Sequence, residues 1–181
     1  MKLRRPCQQC IQVYAHQEDN TYNEVGDLKQ DFEQYLEYNS FNQLFRVREN
    51  NSTGLVLEEY TYDPNGERVM KFEPLLNQIT YYVSDEYVQV VNSSGTFVYT
   101  YYHDPQTGEL LGRKDSDGRK YYYHPDHLGS TDLVTNQTGG VAEESTYEPY
   151  GEIVAGGDSR FLFTSKELDK QSRGVVEVVL R

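Results

Sequence analysis

The stretch YTYDPNGERV (60–69) decides the fold. Asp63 opens a turn and accepts hydrogen bonds from the turn's own amides. Pro64 presets φ at the next position, Asn65 tolerates the bridge region, and Gly66 closes the turn, which is a type I signature. Its flanks, YTY (60–62) and ERVMKF (67–72), are short and rich in the β-branched and aromatic residues that suit a pleated surface.

The pattern spreads outward in both directions. EPYG (148–151) repeats it with Glu148 before Gly151, and DPQTG (104–108) repeats it with one extra residue between Asp104 and Gly108. HPDHLGS (124–130) carries Asp126 and Gly129 at the same spacing. NSFN (39–42) puts Asn42, the next most tolerant residue of positive φ, in the glycine place. Of the 14 glycines, nine have Asp, Asn or Glu three positions earlier: at 26, 54, 66, 95, 112, 118, 129, 139 and 151. The 39 residues of those acceptor types among 181 would place about three by chance. Several turns recur every twelve residues, at 39, 51, 63, then 92, 104, and 136, 148. That spacing, with short strands between, predicts an all-β meander of antiparallel hairpins. DLKQDFEQYLEY (27–38) could set Leu28, Phe32, Tyr35 and Leu36 on one helical face. It lies between two turns of the repeat, so a strand is expected there.

Composition agrees with a thin, sheet-rich wall. There are 17 Tyr, 7 Phe and no Trp, and Tyr suits half-buried sheet faces. The ladder Tyr60, Tyr62, Tyr99, Tyr101, Tyr121, Tyr122 and Tyr123 reads as cross-strand stacking, with sugar binding by exposed Tyr as the other reading. A net charge of −12 disfavours nucleic acid and anionic membranes, and fits solubility or an interior holding a basic cargo. No 18-residue apolar run predicts a membrane-inserted helix. MKLRRPCQQCIQVYAHQED has a basic start without the apolar core of a signal peptide.

Candidate chemistry is sparse. His124, Asp126 and His127, with His103 and Asp104 upstream, could hold a metal and support hydrolysis, but the turn reading accounts for them. Cys7 and Cys10 have the spacing of half a zinc site or a redox pair, with only His16 near. Ser130 and Ser165 lack the setting of a nucleophile elbow. Asn50, Asn51, Asn92 and Asn136 fit the glycosylation pattern, which matters only for a secreted eukaryotic chain. No catalytic residue and no cofactor is predicted.

The stretch YYYHPDHLGSTDLVTNQTGGVAEESTYEPYGEIV (121–154), continued by RFLFTSKELD (160–169), closely resembles the core segment of the Rhs/YD-repeat family. TYNEVGDL (21–28), YNSFNQLFRV (38–47) and YTYDPNGERV (60–69) are similar to single YD repeats. The resemblance implies a ribbon of hairpins coiled into a section of a hollow β-shell, extracellular or at the cell surface. It implies partners that are other YD-repeat segments or a toxin cargo released by self-cleavage, and the unpaired strand edges of so short a section predict self-association. The expected organisation is an N-terminal segment (1–20), YD-repeat hairpins (21–120), a core-like segment (121–170) and a divergent tail (171–181). After KELD the family usually continues with Gly-Leu-Tyr-Tyr and Ala-Arg-Tyr-Tyr-Asp segments. This chain reads KQSRGVVEVVLR instead, as a truncated form would, so no cleavage residue carries over.

Overall fold

A computed structural model describes residues 20–31, 33–149 and 151–169. Cys7, Cys10, His16 and the 171–181 tail lie outside the described residues. Thirteen strands form one antiparallel sheet in which each pairs with its neighbours in sequence. They are β1 (Thr21–Tyr22), β2 (Leu28–Gln30), β3 (Gln34–Tyr38), β4 (Leu44–Glu49), β5 (Val56–Tyr62), β6 (Arg68–Glu73) and β7 (Gln78–Ser84). The sheet continues with β8 (Tyr87–Asn92), β9 (Gly95–His103), β10 (Leu110–Asp115), β11 (Lys120–Pro125), β12 (Thr131–Asn136) and β13 (Val141–Glu144). A separate hairpin follows, β14 (Thr146–Tyr147) with β15 (Ile153–Ala155). The all-β hairpin meander read from the turns is therefore the fold, and 27–38 supplies strands β2 and β3 rather than a helix.

The turn at Asp63 shows why the meander forms. The Gly66 amide donates to the Asp63 carbonyl at 3.0 Å, and the Asp63 amide to the Glu67 carbonyl at 2.9 Å. One carboxylate oxygen, Oδ1, takes the amides of Asn65 and Glu67, each at 2.9 Å. Gly66 has φ +91°, the left-handed value that follows a type I turn in a three-residue hairpin loop. Asn23, Asn39, Asp126 and Asn136 make the same pair of side-chain-to-amide bonds. In the Asn39 turn Asn42 takes the glycine place at φ 62°. The backbone pattern recurs at Glu148, with Gly151 at φ 90°. Asp104 spans one more residue to Gly108 and accepts from Gln106 and Thr107 at 2.7 and 2.9 Å. These amide bonds favour the ionised form, and they hold the Asp63 and Asp104 carboxyls below their ordinary pKa. The pair Glu109/Gly112 is a correction to the sequence reading. Gly112 lies inside β10, opposite Tyr102 and Tyr122, and marks no turn.

Strand alternation divides the side chains between two faces. One face carries two apolar clusters. Leu36, Leu44, Val47 and Tyr60 form the first. Val88, Val90, Tyr101, Leu110, Tyr123 and Val134 form the second. Residues 156–169 fold back over this face, which we call the covered face.

Candidate functional site

Between the apolar clusters, on β5 to β7, the covered face carries charge. Glu58, Lys71, Glu73 and Thr80 are buried there. Register explains the placement: Val47 lies opposite Glu58, Tyr60 opposite Lys71, and Lys71 opposite Thr80. Arg68 is three residues from Lys71, so simple alternation would send it to the other face. An irregularity in the β5–β6 pairing sets Tyr62 opposite Arg68 and restores it to the covered face.

The returning segment is fastened at three points. At its start, the Glu143 carboxylate of β13 accepts the amides of Gly157, Asp158 and Ser159 at 3.1, 2.7 and 3.0 Å and the Ser159 hydroxyl at 2.6 Å. Burial raises the Glu143 carboxyl, but these donors outweigh burial and hold it below its ordinary value. In the middle, Thr131 donates its amide to the Leu162 carbonyl at 3.1 Å and its hydroxyl to the Phe161 carbonyl at 2.7 Å. The Phe161 ring packs edge-on against Tyr101, with centroids 4.9 Å apart, and Leu162 is buried. The segment then reverses at Thr164 and Ser165, both left-handed (φ 51° and 57°), and Lys166 donates to the Phe163 carbonyl at 3.1 Å. This is a type I′ arrangement without the Asn-Gly that favours it. The Asp126 turn receives it: Thr164 donates its amide to Ser130 Oγ at 3.2 Å, and the Ser165 hydroxyl donates to the Gly129 carbonyl at 2.8 Å.

The end is held by ions. Arg68 reaches Asp169 at 2.8 Å and Glu167 at 2.9 Å, and Lys71 reaches Asp169 at 3.0 Å and Glu167 at 3.4 Å. Arg160 and the Tyr82 hydroxyl both donate to Glu167, at 2.8 and 2.9 Å. The Asp169 side chain is 1% exposed and that of Lys71 6%. The Arg68 guanidinium lies between the rings of Tyr60 and Tyr82, 5.2 and 4.9 Å from their centroids. Tyr60 donates in turn to Glu58. Burial pushes the Tyr60 and Tyr82 hydroxyls well above their ordinary pKa, and nearby carboxylates add to it. Burial pulls the Lys71 ammonium down, but Asp169 and Glu167 outweigh it and keep the ammonium charged. A cleft of about 460 Å³ beside this network is lined by Lys71, Glu73, Thr80, Arg113, Arg160 and Glu167. Arg113 binds Asp115 there, between Tyr99 and Tyr121. The arrangement neutralises its own charges and joins elements about a hundred residues apart in sequence.

The metal candidates do not converge. His124 is exposed and meets Thr135 Oγ1 at 3.0 Å, Asp126 is committed to its own turn, and His127 is exposed. Among the described residues no three His, Cys, Asp or Glu side chains form a ligand set. Within the Tyr ladder, Tyr60, Tyr101 and Tyr123 are buried, Tyr62, Tyr99 and Tyr121 are half-buried, and Tyr122 is exposed. The ion network was not anticipated from sequence. Its faint signal is alternation with charges at the core-facing places, in LEEYTY (57–62) and RVMKFE (68–73).

A long hairpin sheet with a segment folded back along one face defines a section of a β-shell. The comparisons give the same class. The Teneurin YD-shell family model matches residues 7–164, and the chain belongs to that family. It is 32% identical over 136 residues to Teneurin-1 of Gallus gallus and 30% to Teneurin-1 of Homo sapiens. Each match covers 72% of the chain and 5% of the relative, so the chain spans about a twentieth of these curated relatives. Among solved structures it is similar to a chain of the Photorhabdus luminescens Tc holotoxin pore, with TM-score 0.68 and 17% identity. That match covers 83% of this chain and 8% of the other. The TcdB2-TccC3 structure matches with TM-score 0.60 and 18% identity, over 77% of this chain and 8% of that one. The chain is thus a structural shell segment of an Rhs/YD protein.

Proposed function

We propose that this segment acts as a passive wall: it separates a cargo from solvent and proteases and catalyses nothing. The observation that carries this reading is the covered face itself. Its charges pair with one another and its tyrosines flank arginines or meet Phe161 edge-on, so the face is spent on holding the returning segment down. Residues 121–170 act as the closing unit of the wall, and 21–120 act as its ribbon. The cargo is a C-terminal toxic domain, as the toxin-shell neighbours suggest, and the shell works outside the cell or at its surface. Asp63, Gly66, Asp104, Gly108, Asp126, Gly129, Glu148 and Gly151 serve as structural turn residues that set the hairpin register.

Among the described residues the sheet ends in β1 and β13, and exposed strand edges recruit further strands. Other YD-repeat segments, or a second copy, pair there. The test is a graft of residues 20–169 into the matching section of the TcdB2-TccC3 shell. The assembled chimera is expected to keep its enclosed domain resistant to protease. An assembled chimera whose cargo is digested as fast as free cargo overturns the reading.

A further inference from the structure

The face opposite the covered one carries a slot that wall building does not use. Gly112 lies opposite Tyr102 on β9 and opposite Tyr122 on β11, so the three stand in one row across the sheet. With neighbouring strands about 4.8 Å apart, the two tyrosine backbones are about 10 Å apart, and the glycine leaves the space between them empty. Gly112 is itself buried at the floor, while the outer parts of the rings stay open to solvent: Tyr102 is 51% exposed and Tyr122 47%. The resulting cleft of about 220 Å³ is lined by these tyrosines, Leu111, Gly112, Lys114 and Lys120. A planar group held between two rings needs two contacts of about 3.5–4.0 Å each, which the spacing admits once the rings lean inward.

A second observation gives the sign of the ligand. Lys114 lies directly opposite Lys120, two residues along the same strands and on the same face. Like charges directly opposed destabilise a sheet. Neither lysine pairs with a described acid, although the whole chain carries −12. Elsewhere on this face Arg46 binds Glu37 and Glu59, Arg48 binds Glu37, and Lys29 lies over the Tyr35 ring. Lysines alone would keep a sheet face solvated. The aromatic cleft beside them sets apolar surface next to the unanswered charge.

We infer that the Tyr102–Gly112–Tyr122 slot, with Lys114 and Lys120, docks an acidic peptide segment of a partner protein that bears an aromatic side chain. The ring enters between the tyrosines and the flanking carboxylates meet the lysines. A saccharide fits less well, because the cleft offers no Asp, Glu, Asn or Gln to bind sugar hydroxyls.

Fluorescence polarisation with labelled Glu-Glu-Tyr-Glu-Glu tests this, against the same peptide with Ala for Tyr and against an oligogalacturonate. The peptide is expected to bind the folded protein, more weakly as salt rises, and the Ala peptide less tightly. K114E is expected to weaken binding about tenfold, since it removes one exposed ion pair and adds a repulsion. It should also raise thermal stability, because it turns the lysine opposition into an attraction. Y122A should weaken binding without changing the fold. Equal binding to wild type, K114E and Y122A overturns the inference. So does binding of the oligogalacturonate without the peptide, and so does no binding at all.

Discussion

The returning segment meets the sheet in two chemically different regions. Over β9 to β12 it is fastened by shape: Phe161 on Tyr101, Leu162 buried, Thr131 bonded to two carbonyls. Over β6 and β7 it is fastened by charge, with Glu167 and Asp169 inserted among Arg68, Lys71 and Tyr82. The apolar fastening is graded, since each lost methylene costs its own area and cavity. The ionic one is close to all-or-none. Desolvating its charges cancels much of their attraction, but removing one partner strands another in a dry place. Charge here specifies where the segment lies more than it adds stability.

That contrast can be broken first at Asp169. Asp169→Ala leaves Arg68 and Lys71 short of a partner and should cost about 3–5 kcal/mol in urea unfolding. Adding Lys71→Met should cost less than the sum of the two single changes by about 0.5–3 kcal/mol, because the second change removes the stranded charge. Strict additivity would show that the ions do not act as a unit. Phe161→Ala should cost about 2–3 kcal/mol, since the ring is only partly buried. A loss as large as that of Asp169→Ala would erase the distinction between the regions.

Glu143 sharpens the picture through pH. Its carboxyl is held below the ordinary value of 4.5 in the folded chain, so its contribution is present above that value and is lost as pH falls through the folded pKa. Glu143→Gln should cost roughly 1 kcal/mol at neutral pH, an effect kept low by partial exposure. The difference from wild type should shrink below about pH 4. A difference that stays constant from pH 3 to 7 would remove the carboxylate from this role. The smallest effect is expected at the reversal. Thr164→Asn with Ser165→Gly supplies the residues that left-handed positions favour, and should stabilise the chain by about 0.5–1 kcal/mol. Destabilisation would mean that the Ser165 hydroxyl bond to Gly129 outweighs the backbone strain.

The turns were legible because each is a local device. The acceptor side chain and the positive-φ residue sit within five positions, and their bonds close inside that window, as at Asp63 to Glu67. The strands followed from the Tyr-, Val- and Thr-rich segments between turns. Glu109/Gly112 misled because the same spacing falls by chance between a loop residue and a strand residue, with no chain reversal between them. The ion network was not legible for the opposite reason: Arg68 and Asp169 lie a hundred and one residues apart, and an irregular pairing at Tyr62 moves Arg68 to the covered face.

The sequence by itself determined the meander, the positions of its reversals and the family, because short-range hydrogen bonds and side-chain period are written residue by residue. Only the tertiary structure decided which face is covered, where the charges are buried and where Gly112 opens a slot between two tyrosines. Those depend on strand register and on the return of 156–169 across the sheet, and burial turns an ordinary ion pair into an obligatory one.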